Sequence, residues 1–492
     1  MTWVRRRETW LAIGGGVLAA LSMPGFGAGP LVFVALIPLF LALARGRGFL
    51  HGYLFGLAFF AIDVRWVLTL IRFNALVVPG YAVLVAYLAL PFGLLGGLMA
   101  RHASRVDARR WLLVAPALFV LAECVRTLGT FGTGFSMLHH ALYRVPWLIQ
   151  SASILGSWSI TALVVAINVA LYLALRERRI RFALVGLGLL VFQAAFWFLP
   201  AGSTGSNPQL VVAVVSSNVA QEVKLDARKL DPLTKRFLAL GEKAIAENPD
   251  LVVFPESFLP AYVLSDVDIL SRLTDLARRG EARLLFGTGT YRDSGIFNST
   301  ALIGEDGRLI GTYDMVRPVP FGEYVPARWI LEAVGLGSWA RSLLPLDLSR
   351  GAGYVPLGEI GTPICFESTF PTASRRLTRA GASLLVTVTN DAWFAGSSEL
   401  RAHFATAVFR AVENHRAVVQ AANGGISGIV DPRGRIKVET SEEAVSTGRV
   451  ELSTARSIYA AWGDTPFILA MGCTAGILLV LRCLRRRRRI GE

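Results

Sequence analysis

Charged residues are scarce in this sequence of 492 residues: Asp, Glu, Lys and Arg together make up 17 %, whereas about 25 % is usual for soluble domains. This scarcity excludes a simple cytosolic enzyme. The hydrophobic content of 53 % excludes a disordered chain, and the mean hydropathy is +0.50. The composition therefore predicts an integral membrane protein, in which a soluble part holds most of the acidic residues.

Cysteine is also scarce. Three of the four cysteines, Cys124, Cys473 and Cys483, fall in predicted membrane helices, which leaves Cys365 alone in the soluble part. A lone cysteine cannot form a disulfide within its own domain. The sequence contains no Cys-x-x-Cys motif and no histidine-rich cluster, so we predict neither a metal site nor a cofactor.

Long apolar runs are abundant, and eight of them reach or approach the length of about 20 residues that a membrane helix needs. They cover residues 9–21, 30–44, 49–70, 77–100, 111–124, 158–175, 182–200 and 466–484. Arginine clusters precede the first run and follow the second, fourth, sixth and eighth. Because positive charge beside membrane helices stays in the cytoplasm, both termini are predicted to be cytoplasmic and the long segment after the seventh run to lie outside. The net charge of +15 is thus better explained by membrane topology than by nucleic-acid binding.

The predicted organisation has four parts. Residues 1–200 form a seven-span membrane domain, 201–208 a flexible Gly- and Ser-rich linker, 209–456 a soluble domain, and 457–492 a last membrane helix with a basic tail. In the soluble part, β-rich runs at 210–215, 251–254, 283–287 and 383–389 alternate with helical patterns at 232–247, 269–280 and 403–415. This alternation predicts a layered α/β fold.

Cys365 follows Thr362-Pro-Ile364, at the point where a predicted strand turns. Such an elbow exposes a nucleophile and offers backbone N–H groups to an oxyanion. Taken alone, a single cysteine is equally typical of a small buried apolar residue. Glu256 emerges directly after the apolar strand that ends in Phe254-Pro255. A half-desolvated carboxylate there would act as a general base; the alternative is a solvated loop glutamate or a helix-cap partner.

Two further segments carry charge. Glu323 is the notable acid of a rigid loop rich in Pro and Gly at 316–326, where it is either functional or a carboxylate that fixes the loop. Arg410 and Glu413 are three residues apart on a predicted helix, which favours a structural ion pair.

Together these motifs resemble one family. Phe-Pro-Glu-Ser at 254–257, Val-Pro-Phe-Gly-Glu-Tyr-Val-Pro at 319–326, Ile-Cys-Phe-Glu at 364–367, Asn-Asp-Ala-Trp-Phe at 390–394 and Arg-Ala-x-Glu at 410–413 are similar to those of apolipoprotein N-acyltransferase, the membrane branch of the nitrilase superfamily. The resemblance covers nearly the whole chain. It implies a multi-pass α-helical membrane domain joined to a nitrilase-like αββα sandwich.

The resemblance also implies an activity. Members of the family transfer an acyl chain from a membrane phospholipid to the N-terminal amine of a diacylglyceryl-cysteine apolipoprotein, at the outer face of the bacterial cytoplasmic (inner) membrane. By motif, Cys365 would be the nucleophile, Glu256 the general base and Glu323 a supporting carboxylate. Substrate and acyl contacts would come from Phe366, Glu367, Trp393 and Phe394, although ordinary core packing is an equal alternative for the last two.

One position departs from the family pattern. The family's catalytic lysine lies in a Tyr-x-Lys-x-His motif, but this sequence has Tyr313-Asp-Met-Val-Arg317, so Met315 occupies the lysine position and Arg317 the histidine position. Either Arg317 supplies the missing cation, or the protein is weakly active or a non-catalytic member that binds lipid or lipoprotein. A membrane-tethered carbon-nitrogen hydrolase (amidase), in which water replaces the amine, is a third alternative.

Overall fold

The computed structural model describes residues 2–45, 47–103, 108–199, 208–292 and 295–488. The predicted linker at 201–208 lies outside the described residues except for Pro208. The described chain contains an N-terminal helical region, an α/β domain and a C-terminal helix.

The N-terminal region is built from apolar helices. These are α1 (Thr2–Leu21), α2 (Ile37–Leu43), α3 (Gly48–Asp63), α4 (Val77–Ala103), α5 (Ala108–Val125), α6 (Ala152–Leu155), α7 (Trp158–Glu177) and α8 (Ile180–Ala195), with 3-10 turns at Gly29–Phe33, Val64–Arg72, Leu138–Leu142, Pro146–Leu148 and Phe196–Phe198. Within the described ranges, four segments are long and apolar enough to cross a membrane: Gly48–Arg72, Val77–Arg101, Trp158–Glu177 and Ile180–Phe198. The chain is therefore a membrane protein, while the count of eight spans stays a prediction.

The second predicted span is not a single helix. Residues 30–44 form a 3-10 turn followed by the seven-residue α2, because Pro38 lacks a backbone N–H and interrupts the helical ladder within this run. Elsewhere in this region, the helices pack closely against each other. A Cβ at Gly52 of α3 would lie 2.1 Å from the carbonyl oxygen of Phe92 on α4, so only glycine permits this approach of the two backbones.

The α/β domain contains two sheets. Their strands are β1 (Gln209–Ser216), β2 (Leu251–Val253), β3 (Arg283–Arg292), β4 (Gly295–Ile303), β5 (Leu309–Asp314), β6 (Ile360–Gly361), β7 (Leu384–Asn390), β8 (Ala417–Asn423), β9 (Ser427–Val430), β10 (Ile436–Thr440) and β11 (Ala444–Glu451). One sheet has the order β11-β1-β2-β3-β4-β5 and the other β10-β9-β8-β7-β6. Strands β1 to β3, and β6 to β8, run parallel.

The remaining helices are α9 (Gln221–Lys224), α10 (Leu230–Ile245), α11 (Val267–Gly280), α12 (Arg328–Ala333), α13 (Gly337–Leu343), α14 (Pro371–Arg379), α15 (Glu399–Asn414), α16 (Ile458–Trp462) and α17 (Thr465–Arg488). Among them, α10 and α11 cover the outer face of the first sheet and α14 and α15 that of the second, whereas α17 packs against α5 of the helical region. In β1, Val212 and Val214 join the core between the two sheets, whereas Ala213 and Val215 pack towards α10 and α11. This alternation follows from the two-residue period of a strand. The predicted αββα sandwich is confirmed.

The α/β domain is anchored on the helical region by polar contacts. Arg410 and Glu413 form the expected ion pair at 2.9 Å, with both side chains buried, and Glu413 also accepts a hydrogen bond from Ser157, the residue before α7. At another point of the junction, Arg72 donates to the carbonyl oxygen of Ala392 at 2.8 Å. Because buried polar groups bond in defined directions, these contacts fix how the two parts face each other.

Candidate active site

Cys365 occupies a backbone elbow. Ile364 bridges to Val388 in the parallel direction, and the chain then enters a 3-10 turn at Cys365–Thr369. Cys365 itself has a positive φ of 46°, a conformation that is costly for a residue with a side chain and that recurs at functional sites. The elbow presents the half-buried thiol at the carboxyl end of the sheet, as the sequence pattern predicts.

Glu256 follows β2 and is 7 % exposed. Its Oε1 accepts a hydrogen bond of 2.6 Å from Asn298 Nδ2. Its Oε2 is buried and accepts no other hydrogen bond within the described part of the chain, which leaves it available to the thiol of Cys365, with which this carboxylate interacts. Burial raises the pKa of Glu256, against the opposing effects of Asn298, Lys224 and Cys365. A carboxylate with a raised pKa beside a thiol is suited to general-base work.

A close backbone approach places this base. A Cβ at Gly287 of β3 would lie 2.5 Å from the Cα of Glu256 and 2.7 Å from the backbone N of Ser257. Real Cβ atoms do not come so near to a backbone, so the turn that carries Glu256 is accommodated only because residue 287 is glycine.

Glu323 lies beside Glu256, and one amide joins them. Asn298 Nδ2 donates to Glu323 Oε1 at 2.8 Å as well as to Glu256, while Glu323 Oε2 accepts from the backbone N–H of Val319 at 2.7 Å. Burial and the neighbouring Glu256 raise the pKa of Glu323 to about 7. The two carboxylates are therefore close enough for each to influence the ionisation of the other.

The Cys365 thiol is held in its neutral form. Burial raises the pKa of the thiol well above its ordinary value, and the carboxylates of Glu256 and Asp391 raise it further. Because only the thiolate is nucleophilic, a nucleophilic role for Cys365 would require a nearby base to take the proton.

The two substituted positions separate in space. Met315 is buried beside the site, with its Sδ 3.8 Å from Asn298 Nδ2. The guanidinium of Arg317 instead donates to the carbonyl oxygens of Thr127 and Gly129 and lies 3.6 Å from the centre of the Phe370 ring. Arg317 is thus engaged with the helical region, and we do not assign it the cation that Met315 lacks.

Glu367 holds a loop. Its Oε1 accepts from the hydroxyl of Tyr313 at 2.5 Å, and its Oε2 accepts from the backbone N–H groups of Val316 and Arg317 at 2.7 and 3.0 Å. These bonds fix the loop after β5, and the substrate contact of Glu367 that the sequence suggests stays a prediction. Burial raises the pKa of Glu367 to about 7.

Aromatic side chains line the junction next to the elbow. The ring of Trp393 lies 5.0 Å from that of Phe73, and the ring of Phe394 lies 4.8 Å from that of Trp66. Phe366 contacts Phe135 across the same junction. These side chains stand where the helical region meets the elbow at Cys365, and their acyl contacts stay a prediction.

His403 of α15 supports the elbow from behind. Its Nε2 lies 3.2 Å from the carbonyl oxygen of Cys365, and its Nδ1 lies 3.0 Å from Asp391 Oδ1. Although burial alone lowers the pKa of His403, Asp391 and Glu399 raise it to about 9. The three groups could hold a metal ion by spacing alone, since their ligand atoms lie within 4.8 Å of one another; here the charged imidazole itself fills the space between the carboxylates.

Sequence reasoning missed three residues of this site. Asn298 and His403 sit on elements whose hydrophobic pattern gives no sign of a polar inward position, and only the strand and helix registers reveal them. Lys224 ends the four-residue α9 and donates from Nζ to the backbone carbonyl oxygen of Glu256 at 3.0 Å. The one available signal was its rarity: lysine is nearly absent from a chain whose basic residues are mostly arginine.

The fold and the Cys–Glu pair define a nitrilase-type α/β domain carried by a membrane-embedded helical region. The Carbon-nitrogen hydrolase family matches residues 212–460, and the Apolipoprotein N-acyltransferase N-terminal domain matches residues 15–170. Among solved structures, the C. elegans NitFhit protein is 19 % identical with a TM-score of 0.41, over 53 % of this chain and 65 % of that one.

Relatives that match over nearly their full length identify the family. Apolipoprotein N-acyltransferase of Geobacter metallireducens is 34 % identical, over 99 % of this chain and 97 % of that protein. Apolipoprotein N-acyltransferase of Thermotoga maritima is 30 % identical, over 95 % and 93 %. The chain belongs to the apolipoprotein N-acyltransferase family, a family of acyltransferases within the carbon-nitrogen hydrolase superfamily.

Proposed function

We propose that this protein transfers an acyl chain from a membrane phospholipid to the N-terminal amine of a diacylglyceryl-cysteine apolipoprotein, through a thioester on Cys365. The observation that carries the proposal is the proximity of the Cys365 thiol to the buried carboxylate of Glu256, whose Oε2 accepts no hydrogen bond within the described residues, at the junction with the membrane helices. Family membership supplies the substrate classes.

In the first half-reaction, Glu256 takes the proton of Cys365 as the sulfur attacks the ester carbonyl of the phospholipid. The tetrahedral oxyanion collapses, the bond to the glycerol oxygen breaks, and that oxygen leaves as an alcohol with the proton returned by Glu256. Lysophospholipid departs and the acyl chain remains on sulfur.

In the second half-reaction, Glu256 removes a proton from the incoming amine as its nitrogen attacks the thioester carbonyl. The carbon–sulfur bond breaks, the thiolate leaves and recovers the proton, and an amide forms. A thioester reacts with amines more readily than an oxygen ester does, so two moderate barriers replace one high barrier.

The location of the site fits a lipid donor. Removing an acyl chain from the bilayer costs about 0.8 kcal/mol for each CH₂ group. A site at the membrane surface avoids most of this unfavourable free energy of transfer. Exposed apolar side chains on α12 and α13, among them Trp329 and Trp339, face solvent beside the Glu323 loop. Together with the arginine pattern of the loops, this supports placing the α/β domain at the outer face of the cytoplasmic membrane.

The test is a direct assay with the full-length protein in lipid nanodiscs, given phospholipid and a synthetic diacylglyceryl lipopeptide. We expect the lipopeptide to gain the mass of one acyl chain, and Cys365 to carry that mass when the lipopeptide is omitted. Cys365→Ala should abolish both products, whereas Cys473→Ser, which removes an exposed thiol on α17, should leave both unchanged.

Two outcomes would count against the proposal. Lipopeptide acylation that survives Cys365→Ala would remove the thioester from the reaction. Release of free fatty acid at the same rate with and without lipopeptide would identify a hydrolase in which water is the acceptor.

A further inference from the structure

The lysine position of the family motif is apolar in this chain. Met315 is 1 % exposed and follows β5, and its thioether lies against Asn298, the residue that bridges the two glutamates. A thioether carries no charge and donates no hydrogen bond, so it stabilises neither a thiolate nor an oxyanion. The carboxylates of Glu256 and Glu323 and the half-buried thiol of Cys365 therefore meet at a position from which the expected cation is missing.

A different lysine reaches the same cluster from the opposite side. Lys224 is 6 % exposed, and its Nζ donates to the backbone carbonyl oxygen of Glu256 at 3.0 Å. Its charge interacts with both Glu256 and Cys365. In the described part of the chain no carboxylate oxygen lies within 4.0 Å of this ammonium, although many surface arginines and lysines do have such partners.

We propose, building on the acyl-transfer function above, that Lys224 is the catalytic cation of this protein and replaces the lysine that Met315 has displaced. Its ammonium stabilises the Cys365 thiolate as Glu256 takes the proton, and then the negative oxygen of the tetrahedral intermediate. No new covalent step is introduced, because the lysine keeps its proton throughout.

Burial argues that this lysine has a role. Lysine is almost never fully buried without a charged partner, because desolvation of an ammonium is expensive. Burial lowers the pKa of Lys224 to about 8, and the negative groups Glu256 and Cys365 oppose that effect. A neutral side chain could serve as a purely structural donor to one carbonyl oxygen. A cation held beside the base and close enough to interact with Cys365 is what the chemistry requires.

The experiment compares four variants of the full-length protein: Lys224→Met, Lys224→Arg, Lys224→Met combined with Met315→Lys, and Lys235→Met as a control on the exposed surface of α10. One measurement is the rate of Cys365 thioester formation from phospholipid. The other is the pH dependence of Cys365 alkylation by iodoacetamide, which needs no substrate and reports the thiolate directly.

We expect Lys224→Met to slow thioester formation on the order of 10²-fold or more, as for loss of one oxyanion donor, and to move alkylation to higher pH. Adding Met315→Lys should restore at least a tenth of the wild-type rate. In the wild type the rate should fall above pH 8 as Lys224 loses its proton, and Lys224→Arg, which stays charged, should remove that fall. Lys235→Met should behave as wild type.

Three results would overturn the proposal: a Lys224→Met variant within threefold of wild type, no rescue by Met315→Lys, or a high-pH fall that persists in Lys224→Arg. If Lys224→Met does not fold, the Lys224→Arg profile decides alone. If the wild-type protein forms no thioester, the proposed acyl-transfer function is wrong. The role of Lys224 is then decided by alkylation alone, and a pH profile that is unchanged in Lys224→Met would reject it.

Discussion

Asn298 is the residue whose replacement most directly tests the carboxylate pair. Its Nδ2 donates to both Glu256 and Glu323, at 2.6 and 2.8 Å, and both bonds lower the pKa of their carboxylate. A hydrogen bond to a charged group contributes about 1.5–3 kcal/mol, and 1.36 kcal/mol corresponds to roughly one pKa unit. Asn298→Ala should therefore raise the apparent pKa of the base by about 1–2 units.

The rate of thioester formation, followed from pH 5 to pH 9.5, measures this shift. Because only ionised Glu256 accepts the thiol proton, the rate rises as the base ionises, and in Asn298→Ala that rise should occur about 1–2 pH units higher. Thr290→Val is the matched control. It removes a buried hydrogen bond of 2.7 Å from β3 to Ser299, the neighbour of Asn298 on β4, and Thr290 itself contacts neither Glu256 nor Glu323. An acidic limb that stays in place in Asn298→Ala would refute the assignment of Glu256 as the base.

Three other substitutions probe the support of the site. Gly287→Ala should slow acylation by about 10²-fold, measured by intact mass, because the new Cβ displaces the turn of Glu256. Tyr313→Phe should lower the free energy of unfolding by about 1.5–3 kcal/mol in a denaturant titration, since Glu367 loses a charge-assisted hydrogen bond. The pKa of His403 is raised to about 9, so its stabilising charge is complete below about pH 6.5 and is lost as the pH rises through 9. The thermal midpoint of the wild type should therefore fall between these pH values. A fall of equal size in His403→Gln would contradict this assignment.

The strand and helix pattern of the α/β domain could be predicted because its periods are strong. The runs at 251–254 and 383–389 appear as β2 and β7, and the pattern at 269–280 appears as α11, which begins at Val267. Helix starts were less accurate: α15 begins at Glu399, four residues before the predicted start at 403, although the serines at 397 and 398 are residues typical of a helix start. The hydrophobic pattern shows which face of a helix or strand is apolar, but it gives little information on where the element begins.

The membrane region shows a different limit. Apolar length alone predicts a helix wherever about 15 residues lack charge, but backbone hydrogen bonding decides whether the helix is continuous. Residues 30–44 meet the first condition and fail the second because of their prolines. Composition therefore located four segments that are long and apolar enough to cross a membrane, while it overestimated the continuity of residues 30–44.

Cys365 and Glu256 could be found from sequence because each follows a recognisable strand. The neighbours that tune them could not, since Asn298, His403 and Lys224 reach the site through register and topology. Arg317 shows how a local bend limits such reasoning. Two residues along an extended segment keep a side chain on the same face, but the chain bends at Val316 and Arg317 after β5, and the guanidinium donates to carbonyl oxygens of the helical region.

The topology explains how the cation can change position within one fold. In the order β11-β1-β2-β3-β4-β5, Glu256 follows β2, α9 follows the neighbouring β1, and Met315 follows β5 at the far edge. The loops after β1 and β5 therefore approach the glutamate from opposite sides. The field of an ammonium depends on its distance from the reacting atoms and on the surrounding dielectric, and is independent of the strand that supplies it. A lysine from either loop satisfies the same requirement, so a methionine at residue 315 is compatible with catalysis as long as residue 224 remains basic.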